Sequence, residues 1–163
     1  MGEQIDLLVR KLREEGEAVQ ARLAALPPAA WEMPVYTEGE TWKTRDILAH
    51  LVSAERGHQK LIANVAQGGP GSPADLDVDR YNRSHVAALA GRAPADLLAD
   101  LRAVRADTIA LVAGLSDDDL ARRGNHPALG SDAALADFIR IVFMHVKMHL
   151  RDLTRALTEA QRG

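Results

Sequence analysis

Residues 137 to 153, DFIRIVFMHVKMHLRDL, constrain the fold more than any other stretch. Phe138, Ile141 and Val142 precede a histidine pair on one helical face and Leu153 follows it, while Asp137, Arg140 and Lys147 keep the opposite side polar. The spacing predicts a long amphipathic helix with its apolar stripe turned to a core. His145 and His149 stand one turn apart on that stripe. Two neutral imidazoles at i and i+4 can chelate one divalent ion. The alternative is a pair of core histidines with local hydrogen bonds. Two ligands rarely suffice, so a metal reading needs a third from elsewhere in the chain.

The other segments have the same helical character. Ile5, Leu8, Val9, Leu12, Val19, Leu23 and Leu26 predict a first helix over residues 2–26, which Pro27 and Pro28 stop. AAWEMPVYTEGET reads as a loop. A second helix is expected from Thr41 or Thr44, either one an N-cap, to about residue 67. GGPGSPADLD, residues 68–77, is a loop, and DVDRYNRSHVAALAG a short helix ending near Gly91. Pro94 suits the first position of a third long helix reaching Gly114. Ser116 with Asp119 resembles a capping box before one or two helical turns. GNHPALG reads as a loop, and Ser131 as the cap of a fourth long helix running to about residue 160. Aromatic residues make up only 4%, and no stretch reads as a strand. The fold expected is all-α: a four-helix bundle, with short extra helices in its connections, in a single domain over residues 1–163.

Composition narrows the function. At 47% hydrophobic and 26% charged, the 163 residues are ordinary globular material. A formal net charge of -3 and the lack of a basic block argue against a nucleic-acid partner. With no cysteine, a cysteine nucleophile, a disulfide and a cysteine-based zinc site are all excluded. The N-terminus carries charge too early for a secretory signal and has Asp6 where myristoylation wants Ser or Thr. No apolar run is long enough for a bilayer, so a cytoplasmic protein is expected.

Of the six histidines, only His50 joins His145 and His149 in lying mid-helix on a strongly apolar face. Bundle metal sites are built from inward side chains on facing helices, which makes His50 the natural third ligand; a plain core histidine is the alternative. Asp46 and Asp152 are placed to accept a ring N–H from a ligand histidine, or else to be surface charge. Glu55 is rotated off the His50 face and reads as surface more than as a general base. His58 lies eight residues, about 12 Å, along the helix from His50, too far to share an ion, and reads as pocket wall or surface. Asn82 and Arg83 are further pocket candidates. His85 and His126 are expected to take no part. Gly57, on nearly the same side as His50, leaves room for a ligand or a close neighbour. Trp42 is expected to close one end of the bundle over the second helix.

TWKTRDILAHLVSAE, with a tryptophan shortly before the first histidine helix, MHVKMHLRDL with its HxxxH pair, and DRYNRSHVAAL between them resemble the DinB/YfiT-like metalloenzyme superfamily. The resemblance covers most of the chain in the expected order. It implies a four-helix bundle, often a homodimer, with His50, His145 and His149 around a divalent ion such as nickel or zinc. It also implies kinship with maleylpyruvate isomerase and S-transferases that use the low-molecular-weight thiols mycothiol or bacillithiol.

Three neutral imidazoles leave an ion its full charge, so that it lowers the pKa of bound water to about 7 and deprotonates a bound thiol. A metal-dependent enzyme is expected, of thiol-dependent S-transferase or hydrolase type, acting on a small molecule. The alternative is a non-catalytic metal- or small-molecule-binding bundle; a third possibility is a structural or dimerising helical module. No heterologous protein partner is expected.

Overall fold

A computed structural model describes residues 2–163. Among them are five α-helices: α1 Glu3–Ala24, α2 Thr44–Ala66, α3 Val78–Ala88, α4 Pro94–Ala113 and α5 Leu135–Arg162. The four long ones form the bundle, and α3 is the extra helix in the connection from α2 to α4. α1 packs on α4 and α5, and α2 packs on the same two. The order around the bundle is therefore α1, α4, α2, α5. Helices α1 and α2 face each other across the diagonal, as do α4 and α5.

Short loops join helices that are neighbours, so diagonal pairs need longer connections. Here both take the same form. A 3-10 turn, Pro28–Glu32, leads into β1 Pro34–Tyr36 and β2 Trp42–Lys43; a second, Asp118–Ala121, leads into β3 Arg123–His126 and β4 Gly130–Ala134. Each strand pair is antiparallel, with Tyr36 opposite Trp42 and Gly124 opposite Ala133. These hairpins correct the sequence reading, which has loops at both places. Strands of three, two, four and five residues are too short to show a period of two.

The hairpins also move two helix starts. Ser131 lies in β4, paired with β3, so α5 begins only at Leu135, with Ala134 as its N-cap. Neither Thr41 nor Thr44 caps α2. The N-cap is Lys43, whose N–H donates to the Asp46 carboxylate at 2.9 Å. Pro94 does open α4, and Ser116 and Asp119 exchange reciprocal hydrogen bonds ahead of the second 3-10 turn.

The apolar interior falls into two clusters. One gathers Ile5, Leu8 and Leu12 of α1 with Ile62, Val65, Val112, Phe138 and Val142. The other gathers Val19 and Leu23 with Leu48, Leu51, Leu97, Leu101, Val146 and Leu153. Polar side chains occupy the seam. Glu55, expected at the surface, is only 2% exposed. Arg105 of α4 donates to its carboxylate through Nε at 2.6 Å and Nη2 at 3.1 Å, which explains the burial.

The loop over residues 68–77 lies against β3. Ser72 N–H donates to the Asn125 carbonyl and Asn125 N–H to the Pro70 carbonyl, each at 2.8 Å. Gly71 sits between them at φ +85°, where a β-carbon would collide with the Asn125 backbone. No helix among the described residues is long and apolar enough to cross a membrane.

Candidate metal centre

α2 and α5 are neighbours, so the apolar face of one meets the apolar face of the other. His50, from the second turn of α2, meets His145 and His149 of α5. The Nε2 atoms of His50 and His145 are 3.0 Å apart, as are those of His149 and His145. The three rings stand at 75–88° to one another, so nitrogens converge instead of faces stacking. His50 and His149 are buried and His145 half-buried.

This arrangement is short of hydrogens. A neutral imidazole has one N–H and one lone pair. His145 Nε2 belongs to both short contacts, so it can donate one hydrogen or accept with one lone pair, and cannot serve both contacts well. Adding protons is opposed. Burial, then the neighbouring histidines, push the pKa of His50 down to about 3 and that of His145 to about 2. Burial lowers His149 to about 4 against the opposing pull of Asp152. His50 Nδ1 is also buried without a partner. One cation would satisfy all three Nε2 lone pairs together. Histidine nitrogens bind zinc at about 2.0–2.1 Å, so two ligands of one ion stand about 3.0–3.4 Å apart at ordinary angles. The donor set fits a divalent ion.

The first hairpin supports two of the rings. Trp42 lies on His50, with ring centroids 5.0 Å apart. Tyr36 meets His149 edge-on, its hydroxyl oxygen 2.9 Å from Nδ1, and it donates to Asp152 Oδ2 at 2.6 Å. Burial first, and the Asp152 bond second, push the tyrosine pKa up. Asp152 therefore reaches His149 through Tyr36 and not directly. Asp46 stays at the N-terminus of α2, where it accepts from Lys43.

A cavity of about 340 Å³ opens beside His50 and His145. His58 and Asn82 line it; Arg83 does not, and lies exposed with Nε 3.9 Å from Glu40. Tyr81 enters the lining over Gly57, where a β-carbon would come within 3.1 Å of its hydroxyl. His58 stacks on His126, centroids 5.5 Å apart at 9°, and sits 6.0 Å from the His145 ring. Burial, and then His126, lower the His58 pKa to about 4; burial lowers that of His126 as well. No carboxylate lines the cavity among the described residues. Larger grooves of about 520 and 580 Å³ run along α1, against α5 and α4, and neither holds a ring of the cluster.

Tyr36, Tyr81 and His126 are site residues the sequence reading missed; Tyr81 lies in α3 beside the expected Asn82, and the other two sit in hairpin strands. For Tyr36 a weak signal exists, since PVY joins a β-branched residue to an aromatic one. For His126 there is none, because its place depends on the pairing of β3 with β4.

The sequence profile for the mycothiol maleylpyruvate isomerase N-terminal domain matches residues 12–154. The chain belongs to this family. Its fold is that of the DinB-like superfamily. YfiT from Bacillus subtilis, described as a probable metal-dependent hydrolase with an unusual four-helix bundle topology, superposes with a TM-score of 0.75 at 17% identity, over 99% of this chain and 90% of its own. The mycothiol-dependent maleylpyruvate isomerase superposes with a TM-score of 0.75 at 14% identity, over 94% of this chain; the family member spans only 63% of that longer protein. An uncharacterised protein from Escherichia coli UTI89 gives a TM-score of 0.70 at 16% identity, over 96% of this chain and 92% of its own. At such identities the likeness is one of fold. No curated protein matches the sequence at a significant level.

Proposed function

We propose that the chain is a divalent-metal-dependent enzyme of the thiol-transferase or hydrolase type, with His50, His145 and His149 as ligands to nickel or zinc. The observation that carries this reading is the convergence of three Nε2 atoms, 3.0 Å apart in two contacts, that neutral rings cannot satisfy by themselves. The descriptions of the solved relatives, one a probable metal-dependent hydrolase and one a mycothiol-dependent maleylpyruvate isomerase, point the same way. A bound ion supplies Lewis acidity, making a water or thiol beside it a stronger acid.

The chain's own residues do the rest. His50 and His145 form one wall of the cavity, so a substrate there lies next to the ligand cluster. A lining without carboxylates, with Lys60 as its one formal charge, admits neutral and anionic molecules and disfavours cations. His58 is held neutral by burial and presents an uncharged ring to that cavity. We place this activity in the cytoplasm, where low-molecular-weight thiols stay reduced.

Metal-loaded protein offered a thiol with a panel of electrophiles, and separately a panel of esters, tests the reading. Turnover on either panel, lost in His145→Ala with the fold intact, is the expected result. Stoichiometric metal with no turnover on both panels would favour the non-catalytic binding bundle. A homodimer is also proposed. Leu7 on α1 and Met144 and Met148 on α5 are 47%, 59% and 41% exposed, and a second copy would cover such a surface. Sedimentation at micromolar concentration should show twice the chain mass; a monomer would refute the dimer.

A further inference from the structure

The geometry points to Tyr36 as a positioning residue: held by Asp152, it fixes the tautomer of His149 so that the Nε2 lone pair faces the histidine cluster. A tyrosine hydroxyl has one hydrogen to donate. Its oxygen lies 2.6 Å from Asp152 Oδ2 and 2.9 Å from His149 Nδ1. A carboxylate only accepts, so the hydroxyl hydrogen goes to Asp152. The second contact then needs a hydrogen from His149, which must carry it on Nδ1. A neutral ring has no other N–H, so Nε2 keeps its lone pair, the form that binds a metal. Without this relay nothing would stop His149 from placing its hydrogen on Nε2, inside the cluster.

Two further observations show that the relay is built. Tyr36 pairs with Trp42 across β1 and β2, and Trp42 lies on the His50 ring. One hairpin thus sets the position of ligands on two different helices. Among the described residues, His149 is also the one ring of the three with a hydrogen bond outside the cluster, and His50 Nδ1 is buried with none. The consequence for metal binding rests on the function proposed above; the tautomer itself does not. Partners that orient a ligand histidine are worth about 10–100-fold in metal affinity.

The experiment pairs nitrogen-15 NMR of the histidine rings in metal-free protein with zinc affinity by chelator competition. In the parent protein His149 should show hydrogen on Nδ1 and a free Nε2. Tyr36→Phe removes the acceptor and should give mixed tautomers. Asp152→Ala frees the hydroxyl hydrogen to turn toward Nδ1 and should move the ring hydrogen to Nε2. Both variants should keep one zinc per chain and bind it about 10–100-fold more weakly. Circular dichroism checks that each is folded, and a purely structural role would not move a tautomer. Parent protein with hydrogen on His149 Nε2, or Tyr36→Phe with parental zinc affinity, overturns the relay. If the parent binds no zinc, the proposed function fails, and the tautomer pattern alone decides for or against the relay.

Discussion

Two sets of polar side chains are buried at the seam of this bundle, and they are opposites. In the first, Glu55 accepts from Arg105 on both oxygens and from the Thr108 hydroxyl at 2.8 Å, while Arg105 Nη1 donates to the Leu12 carbonyl at 2.9 Å. Gln59 completes it with a 3.0 Å bond to Thr108. Charge is balanced, donors meet acceptors, and α1, α2 and α4 are tied together. In the second, His50, His145 and His149 bring three nitrogens together with too few hydrogens and too little solvent to charge them. A satisfied network has no need of a guest. An unsatisfied one, with two of its three rings buried, is costly unless something binds there. The contrast separates a self-sufficient polar layer from one whose donor set fits a divalent ion.

The sharpest way to break the contrast is to damage each set in metal-free protein. Glu55→Ala strands the Arg105 charge and should cost about 3–5 kcal/mol in urea unfolding. His145→Ala should cost less, within the ordinary range of about 0.5–3 kcal/mol, since it also removes two poorly satisfied contacts. Equal costs would mean that the histidines serve the fold. Adding zinc should reverse their importance. At free zinc about 100-fold above Kd the parent should gain about 2.7 kcal/mol. His50→Ala, His145→Ala and His149→Ala should each abolish that gain and His126→Ala should keep it, as melting curves with and without chelator would show.

Acid tests the same rings by linkage. Their folded pKa values, about 3, 2 and 4 for His50, His145 and His149, lie below the unfolded value. The unfolded chain therefore binds more protons. Stability is fully present above about pH 6.5 and falls as pH drops below it, by up to about 1.4 kcal/mol per pH unit for each ring. Zinc affinity should fall with it, because ligands must be neutral. The chelator-induced drop in Tm at pH 7.5 should thus shrink toward pH 5; a shift independent of pH would contradict this. The smallest effect is expected from Asp46→Ala. It loses the bond to the Lys43 N–H and should cost about 1 kcal/mol, with zinc affinity unchanged.

The four long helices were legible in the sequence because each repeats its apolar residues over many turns and ends at Pro, Gly or a polar cap. His145 and His149 could be paired because one helix fixes their spacing. His50 could be added only by assuming that its helix lies beside theirs, a matter of tertiary order that periodicity does not encode. The hairpins were illegible for the same reason: strands of two to five residues are defined by their partners. Tyr36 and His126 went unseen with them. Glu55 was misread because Arg105, the counter-charge that lets it be buried, lies fifty positions away on α4.

Metal content of protein purified without a histidine tag tests the central claim most directly. After equilibration with zinc and removal of the excess, elemental analysis should find about one ion per chain in the parent. It should find none above background in the double variant His50→Ala/His145→Ala, with helical content preserved. Substoichiometric metal in the parent, or metal that survives the double substitution, would show that the three histidines are core residues and not a binding site.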